Sequence, residues 1–319
     1  TVYWNTQFED IFNELMLEAN TVYLNSNEHT RSTSKVQTQT DRFNDWCKNN
    51  FSSKEYVKSA PIMHNLRAVK HSIEIELLQQ ACNITEKGFK RVLNFVKPGV
   101  MEYEIEAEYM HEFLINRSRG FAYEPIVASG RNACVLHYID NNKICRDGEV
   151  ILMDVGAEYA NYASDMTRCI PVNGRFSKRQ KDVYNAVLSV MKQAISMLKP
   201  GVLLGDYHKE VGLIMQSELL GLGLIDKHDI DKQDPKKPAY KKYFMHGTSH
   251  FLGLDVHDVG HFDKPIKEGM VFTCEPGIYI LEEKLGIRLE NDIVITKDKP
   301  FDLMSNIPLD SDEIEDLMN

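Results

Sequence analysis

Apolar residues recur at helical spacing over residues 73–96 and again over 178–198, and each run closes on the same four residues, Lys97-Pro98-Gly99-Val100 and Lys199-Pro200-Gly201-Val202. A Pro-Gly pair stops a helix, because proline lacks the backbone donor and glycine takes the angles that finish the last turn. Each tetrapeptide leads into a second periodic segment, 104–117 in one case and 206–222 in the other. Strand patterning is expected at 121–129, 149–172 and 270–296. The order helix, helix, strand hairpin thus occurs twice. It predicts an α+β domain of two pseudo-twofold units, with helices backing a curved antiparallel sheet.

The first 58 residues break this pattern. Trp4, Phe8, Ile11, Phe12 and Leu15 form an apolar stripe at helical spacing, 21–24 reads as a strand, and 25–41 is polar and rich in Ser and Thr. A piece this short cannot bury a core of its own, so 1–58 reads as the remnant of a larger N-terminal domain and 59–319 as the main domain. The first residue is Thr1, not Met, which fits a processed or truncated start. An approach helix over 61–78 is expected to lead into the main domain.

Two stretches inside the repeated halves match closely, 147–156 (DGEVILMDVG) and 268–277 (EGMVFTCEPG). Each sets an acid and a glycine before an apolar run, then a carboxylate, Asp154 or Glu275, then another glycine after one intervening residue. A second carboxylate follows, Asp165 in one copy and Glu290 in the other. If each copy is a hairpin, pairing Asp154 with Asp165 puts the turn at Tyr159-Ala160, and pairing Glu275 with Glu290 puts it at Glu282-Glu283. Directly opposed carboxylates, roughly 5 Å apart at Cβ, repel each other, and a bound cation removes the conflict. Arg288 shares a strand face with Glu290 and is expected to hold it by charge-assisted hydrogen bonds; Thr167 stands in the same relation to Asp165. Tyr279 reads as a pocket or sheet aromatic, Tyr159 as a sheet aromatic.

Composition narrows the function. The chain has 319 residues, 43% of them hydrophobic, enough for a sizeable core. A net charge of −10 argues against nucleic acid, since a phosphate-binding face needs clustered Lys and Arg. The basic run 232–242 carries two prolines and an aspartate and reads as a solvated loop. No stretch approaches the roughly 20 apolar residues of a membrane span, and no signal peptide is visible. Six scattered cysteines without a CxxC pair suit reduced thiols in the cytoplasm. Among eleven histidines, His246, His250 and His257 cluster between the two acid hairpins. Imidazole beside carboxylates suits Mn, Zn, Co or Fe better than Ca or Mg. Four carboxylates and one imidazole overfill one ion and suit two, and a two-metal site is a hydrolytic arrangement.

The stretches MDVGAEYANYASDMTR (153–168), HGTSHFLGLDVHD (246–258), EPGIY (275–279) and GIRLENDIVIT (286–296) carry a resemblance. Over about residues 59–295 the chain resembles the pita-bread metallopeptidases, the family of aminopeptidase P, prolidase, methionine aminopeptidase and creatinase, and most closely the aminopeptidase P branch. The resemblance implies a dinuclear-metal exopeptidase acting on peptides that begin Xaa-Pro, with Mn as the first choice of metal and a homodimer or homotetramer as the assembly. Position by position it implies that Asp154 is the bidentate ligand of one metal, Asp165 and Glu290 bridge, and His250 with Glu275 complete the other. Glu275 is also implied as general base and His257 as the donor to the tetrahedral intermediate, with His137 and His246 lining the substrate pocket alongside Arg288. Methionine aminopeptidase lacks the arrangement Arg288-Leu289-Glu290, and creatinase-like relatives lose metal ligands that are all present here. Prolidase, which closes around a dipeptide carboxylate, remains the alternative, and a catalytically silent peptide-binding protein of the same fold a further one.

Overall fold

A computed structural model describes residues 1–26 and 36–319; the middle of the polar 25–41 stretch lies outside the described residues. The chain divides into two compact units, Thr1–Leu66 and Arg67–Asn319.

The first unit holds α1 (Phe8–Glu18), β1 (Thr21–Leu24), α2 (Gln39–Asn50) and β2 (Glu55–Lys58), with the two strands paired in parallel. Thr38 starts α2 with a capping box: its hydroxyl accepts from the Asp41 N–H at 3.1 Å, and the Asp41 carboxylate accepts the Thr38 N–H at 2.8 Å. Phe8, Phe12, Phe43, Trp46 and Phe51 form one ring cluster with neighbouring centroids 5.3 to 6.0 Å apart. The expected stripe is narrower than its spacing suggests. Trp4 precedes the helix and is 80% exposed, because residues 5–7 form a 3-10 turn and the α-helix begins only at Phe8.

The single helix expected over 61–78 is two, α3 (Ala60–Ala68) and α4 (Ser72–Phe95). At the break Val69 bridges to Met270 and the Lys70 N–H donates to Gly269 O at 2.8 Å, so backbone spent on a neighbouring segment cannot continue the helix. The first half continues through α5 (Glu102–Ile115), β3 (Ile126–Ser129), β4 (Val150–Val155), β5 (Glu158–Tyr159), β6 (Tyr162–Ala163) and β7 (Met166–Pro171). The second half follows as α6 (Lys178–Met197), α7 (Leu204–Gly221), α8 (Lys227–Asp231), β8 (Val271–Cys274), β9 (Gly277–Ile280), β10 (Leu285–Arg288), β11 (Asn291–Val294), β12 (Phe301–Asp302) and α9 (Ser311–Met318). The strand expected over 121–129 shortens to β3, which begins just after Pro125. Residues 232–242 are mostly exposed.

The duplication persists at the level of single hydrogen bonds. Gly99 N–H donates to Cys145 O and Gly201 N–H to Ile266 O, both at 2.9 Å; Cys145 N–H donates to Val100 O and Ile266 N–H to Val202 O, both at 2.8 Å. Gly99 and Gly201 both take positive φ, +102° and +93°, which glycine adopts without steric cost. The first half carries the antiparallel order β3-β4-β7 and the second β12-β11-β8, with β9 and β10 as a separate hairpin. The halves join where Thr167 bridges Glu290 and the Glu290 N–H donates to Thr167 O at 3.1 Å. Behind the strands α4 and α6 bury Leu78, Phe89 and Val92, and Val183, Val187 and Met191, at helical spacing.

The two predicted registers fare differently. In the second copy β9 pairs with β10 and β8 with β11 so that Ile280 faces Leu285 and Cys274 faces Asn291, which puts Glu275 opposite Glu290 at the break between them. The turn is a 3-10 turn at Leu281–Glu283, as its charged residues suggest. In the first copy Asp154 faces Thr167, not Asp165. The turn there is Ala160-Asn161, where both residues take positive φ (51° and 70°), the two-residue pattern that matches strand twist and suits Asn. A slip of two residues keeps Asp165 on the same face, so the acids meet diagonally instead of head-on.

Gly156 lies at the pinch of this hairpin, where a Cβ would stand 1.7 Å from Ser164 O. Gly156→Ala is expected to cost about 3 kcal/mol or more in urea unfolding, because the clash is with backbone and cannot relax by a rotamer change.

Candidate metal centre

Strand geometry delivers the acids. Asp154 lies on β4, Asp165 sits one residue before β7, Glu275 one residue after β8, and Glu290 between β10 and β11. They line one cavity of about 380 Å³ together with His250, His246, His257, His137 and Arg288. Every sequence-predicted site residue is thus brought to the same place. Ligand atoms of Asp165, His250 and Glu290 lie within 4.8 Å of one another. Glu275 joins this trio through His250, whose Nε2 is 3.3 Å from Asp165 Oδ2 and 3.5 Å from Glu275 Oε1. Asp154 joins it through Tyr123, whose hydroxyl lies 2.7 Å from Asp154 Oδ1 and 2.7 Å from Asp165 Oδ1.

The supporting residues differ from the sequence expectation. Arg288 does not hold Glu290. Its Nη2 donates to Asp154 Oδ2 at 2.5 Å, its Nη1 to the Tyr279 hydroxyl and its Nε to Thr167 Oγ1, both at 3.0 Å. Thr167 in turn donates to Glu290 Oε2 at 2.6 Å and not to Asp165. The partners are exchanged because each anchor crosses the seam between halves: Asp154 faces Thr167 across β4 and β7, and Thr167 faces Glu290. Tyr279 is part of this network, since its hydroxyl also contacts His246 Nε2 at 2.8 Å while His246 Nδ1 contacts Gly247 O at 2.8 Å. Arg288, Tyr279, His246 and the Gly247 carbonyl form one chain of donors and acceptors.

His250 is oriented in the same way. Its Nδ1 contacts Phe251 O at 3.0 Å, which leaves Nε2 facing the acids, the arrangement that fixes an imidazole as a ligand. His257 packs edge-on against it with ring centroids 4.4 Å apart. His137 rides on the loop after β3, and that loop is organised by Glu102. This fully buried carboxylate accepts from Ser129 N, Ser129 Oγ, Asn132 Nδ2, Tyr138 Oη and Lys143 N at 2.7 to 3.2 Å. Tyr123 and Glu102 escape a reading by strand or helix periodicity, because one lies in an irregular segment and the other in a helix's first turn.

Charge is held under tension. Burial, with neighbouring carboxylates adding to it, lifts Glu275 to about 7 despite His250 and Arg288, and lifts Glu290 well above the carboxylate range. Asp154 is also raised by burial, with Arg288 opposing. Burial works against charge on His250, yet Asp165 and Glu275 prevail and raise it to about 9, while burial and Arg288 push His246 down to about 3. Carboxylates and imidazole are the donors that Mn, Zn, Co and Fe accept, and acids that resist ionising together are the ones a cation relieves.

The pattern of metallopeptidase family M24 matches residues 76–297. The chain is 40% identical over 282 residues to an Xaa-Pro aminopeptidase of Haemophilus influenzae, covering 85% of this chain and 65% of that protein. It is 40% identical over 270 residues to an Xaa-Pro aminopeptidase of Escherichia coli, covering 81% of this chain and 61% of that one. It therefore spans less than two thirds of the length of these curated relatives. Among solved structures, a putative aminopeptidase P from Bacillus anthracis superposes with a TM-score of 0.91 at 34% identity, over 100% of this chain and 74% of that one. The pita-bread architecture implied by the sequence motifs is the fold observed.

Raised pKa values on Glu275 and His250 mean that the folded, metal-free chain keeps protons that the unfolded chain releases. Its stability therefore falls as pH rises, from 4.5 to about 7 through Glu275 and from 6.5 to about 9 through His250. The gain in Tm on adding Mn or Zn to chelated protein is expected to grow across this range, as read by differential scanning calorimetry. A gain that shrinks with rising pH contradicts the assignment. Thr167→Val is expected to weaken metal affinity roughly 10- to 100-fold by releasing Glu290, measured by equilibrium dialysis.

Proposed function

The chain belongs to metallopeptidase family M24, and from that membership we propose that it is an Xaa-Pro aminopeptidase. It releases the N-terminal residue from peptides with proline second, at two divalent ions, Mn or in its place Zn, Co or Fe. One observation carries the reading: all five donors, Asp154, Asp165, His250, Glu275 and Glu290, line one cavity with His137, His246 and His257.

Asp154, steadied by Arg288 and Tyr123, would hold one ion, His250 and Glu275 the other, and Asp165 and Glu290 would serve both. When bound, such ions polarise the scissile carbonyl and activate a water. Glu275, ionised once cations enter the cavity, takes the proton from the attacking water and returns it to the departing proline nitrogen. His257 donates to the carbonyl oxygen as negative charge develops there. Neutral His246, locked by Tyr279, and His137 on its Glu102-anchored loop form the walls that orient the peptide.

The cavity favours chains longer than a dipeptide. A prolidase must hold its substrate's free carboxylate, and Arg288 is the one Lys or Arg among the described residues lining the cavity. Three of its five N–H donors already go to Asp154, Tyr279 and Thr167. A longer peptide carries its carboxylate beyond this wall. The six free thiols suit a cytoplasmic setting, and assembly as a homodimer or homotetramer belongs to the same reading.

With Mn supplied, the protein is expected to release the first residue from a tripeptide with proline second. Hydrolysis confined to Xaa-Pro dipeptides transfers the assignment to prolidase. Glu275→Ala is expected to abolish turnover and weaken metal binding. His257→Ala keeps its metal and lowers kcat by roughly 100- to 1,000-fold, the scale for one lost transition-state donor.

A further inference from the structure

We infer that Asp258 is a positioning residue for His257, fixing the loop that carries it through a buried charge strap to Arg67 and Lys70. The inference rests on the proposed role of His257 as donor. Asp258 is 6% exposed, although its neighbour His257 opens to the cavity. Its Oδ1 accepts from Arg67 Nη2 at 2.5 Å and from the Val259 N–H at 2.8 Å, and its Oδ2 accepts from Lys70 Nζ at 3.2 Å. Its own N–H donates to Phe251 O at 2.9 Å. The strap thus ties the chain just after His257 to residue 251, beside His250, to Arg67 in the last turn of α3 and to Lys70 between α3 and α4.

The surroundings are built for this pair. The Lys70 side chain is 1% exposed with Asp258 at its ammonium, and a Cβ on Gly253 would stand 2.2 Å from Asp258 Oδ2 and 2.9 Å from Lys70 Cε. Only glycine leaves room there. Arg67 also reaches Asp255, whose side chain is 64% exposed, so that contact adds little beside the buried one. His257 lies on a loop outside any strand. A donor displaced by about 1 Å loses most of its effect on a transition state, so a charge-fixed anchor one residue away bears directly on the chemical step. His257 is not among the five proposed metal donors, so a shift of its ring reaches the chemical step without removing a ligand.

The test uses the Mn-loaded protein and an Xaa-Pro tripeptide, with kcat, KM and metal content measured for Asp258→Asn, His257→Ala and their combination. Asp258→Asn is expected to lower kcat by roughly 10- to 100-fold while KM and metal content stay within about twofold of wild type. Placed on His257→Ala, it is expected to lower kcat by less than about twofold further, because residues acting through one group do not add. Multiplicative losses, or an unchanged kcat, overturn the inference. Should Asp258→Asn fail to fold, the double replacement Lys70→Met with Asp258→Leu, which removes both buried charges together, carries the same comparison. An inactive wild type instead overturns the proposed function. The strap is then read from the His257 imidazole resonances of the protein, which must move in Asp258→Asn if the anchor sets the ring.

Discussion

Four carboxylates drawn into one buried cavity repel one another, and much of the second unit is arranged around that repulsion. Two like charges about 4 Å apart cost about 4 kcal/mol at the effective dielectric near 20 that suits protein sites. A few such terms rival the whole net stability of a domain, about 5 to 15 kcal/mol. The chain offsets them locally. Arg288 sits on Asp154, the Tyr123 hydroxyl stands between Asp154 and Asp165, Thr167 covers Glu290, and His250 is drawn towards its charged form between Asp165 and Glu275. These contacts lower the repulsion without closing the cavity, so positive charge can still enter.

The duplicated architecture sets the spacing of the acids. Matching Pro-Gly turns and matching hydrogen bonds at Cys145 and Ile266 build two similar halves, and the distance between their carboxylates depends on the seam at Thr167 and Glu290. Arg168 makes that seam stiff. Fully buried, it donates to Thr167 O, Glu290 O, Asn291 Oδ1 and Pro308 O at 2.7 to 3.0 Å, and Asn291 passes a hydrogen bond on to Asp302. A cation with several backbone acceptors is tolerated in the interior because its donors are satisfied. The result is a rigid joint at the point where a small shift changes every ligand distance.

Much of this was legible in the sequence because the period-2 rule protects faces. The first hairpin slips by two residues relative to head-on pairing of its acids, since the two positive-φ positions of its turn fall on Ala160 and Asn161, one residue further on, yet an even slip leaves Asp165 on the ligand face. The second hairpin keeps its register because the polar residues Glu282 and Glu283 fall where the turn must be. What strand spacing cannot convey is contact between strands distant in sequence. Arg288 and Thr167 were placed on the right face, but the seam hands Arg288 to Asp154 and Thr167 to Glu290. Tyr123 lies in an irregular stretch before Pro125, where neither periodicity nor charge marks it, and the break at Lys70 comes from a bond to Gly269 about two hundred residues away.

The exchange of partners bears on where in the cavity the charge deficit lies. Had Arg288 paired with Glu290, the total charge would be the same, but the deficit would lie around Asp154, Asp165 and Glu275. With the guanidinium on Asp154 and only a neutral hydroxyl on Glu290, the charge deficit lies around Asp165, Glu275 and Glu290. Taking the four carboxylates as ionised, with Arg288 as their fixed cation and His250 neutral as a ligand, one divalent ion leaves the site negative by one charge. Two leave it positive by one. A site that must stabilise negative charge developing on a carbonyl oxygen needs the second balance; the place of Arg288 on Asp154 decides that the proposed ions meet the deficit at Asp165, Glu275 and Glu290.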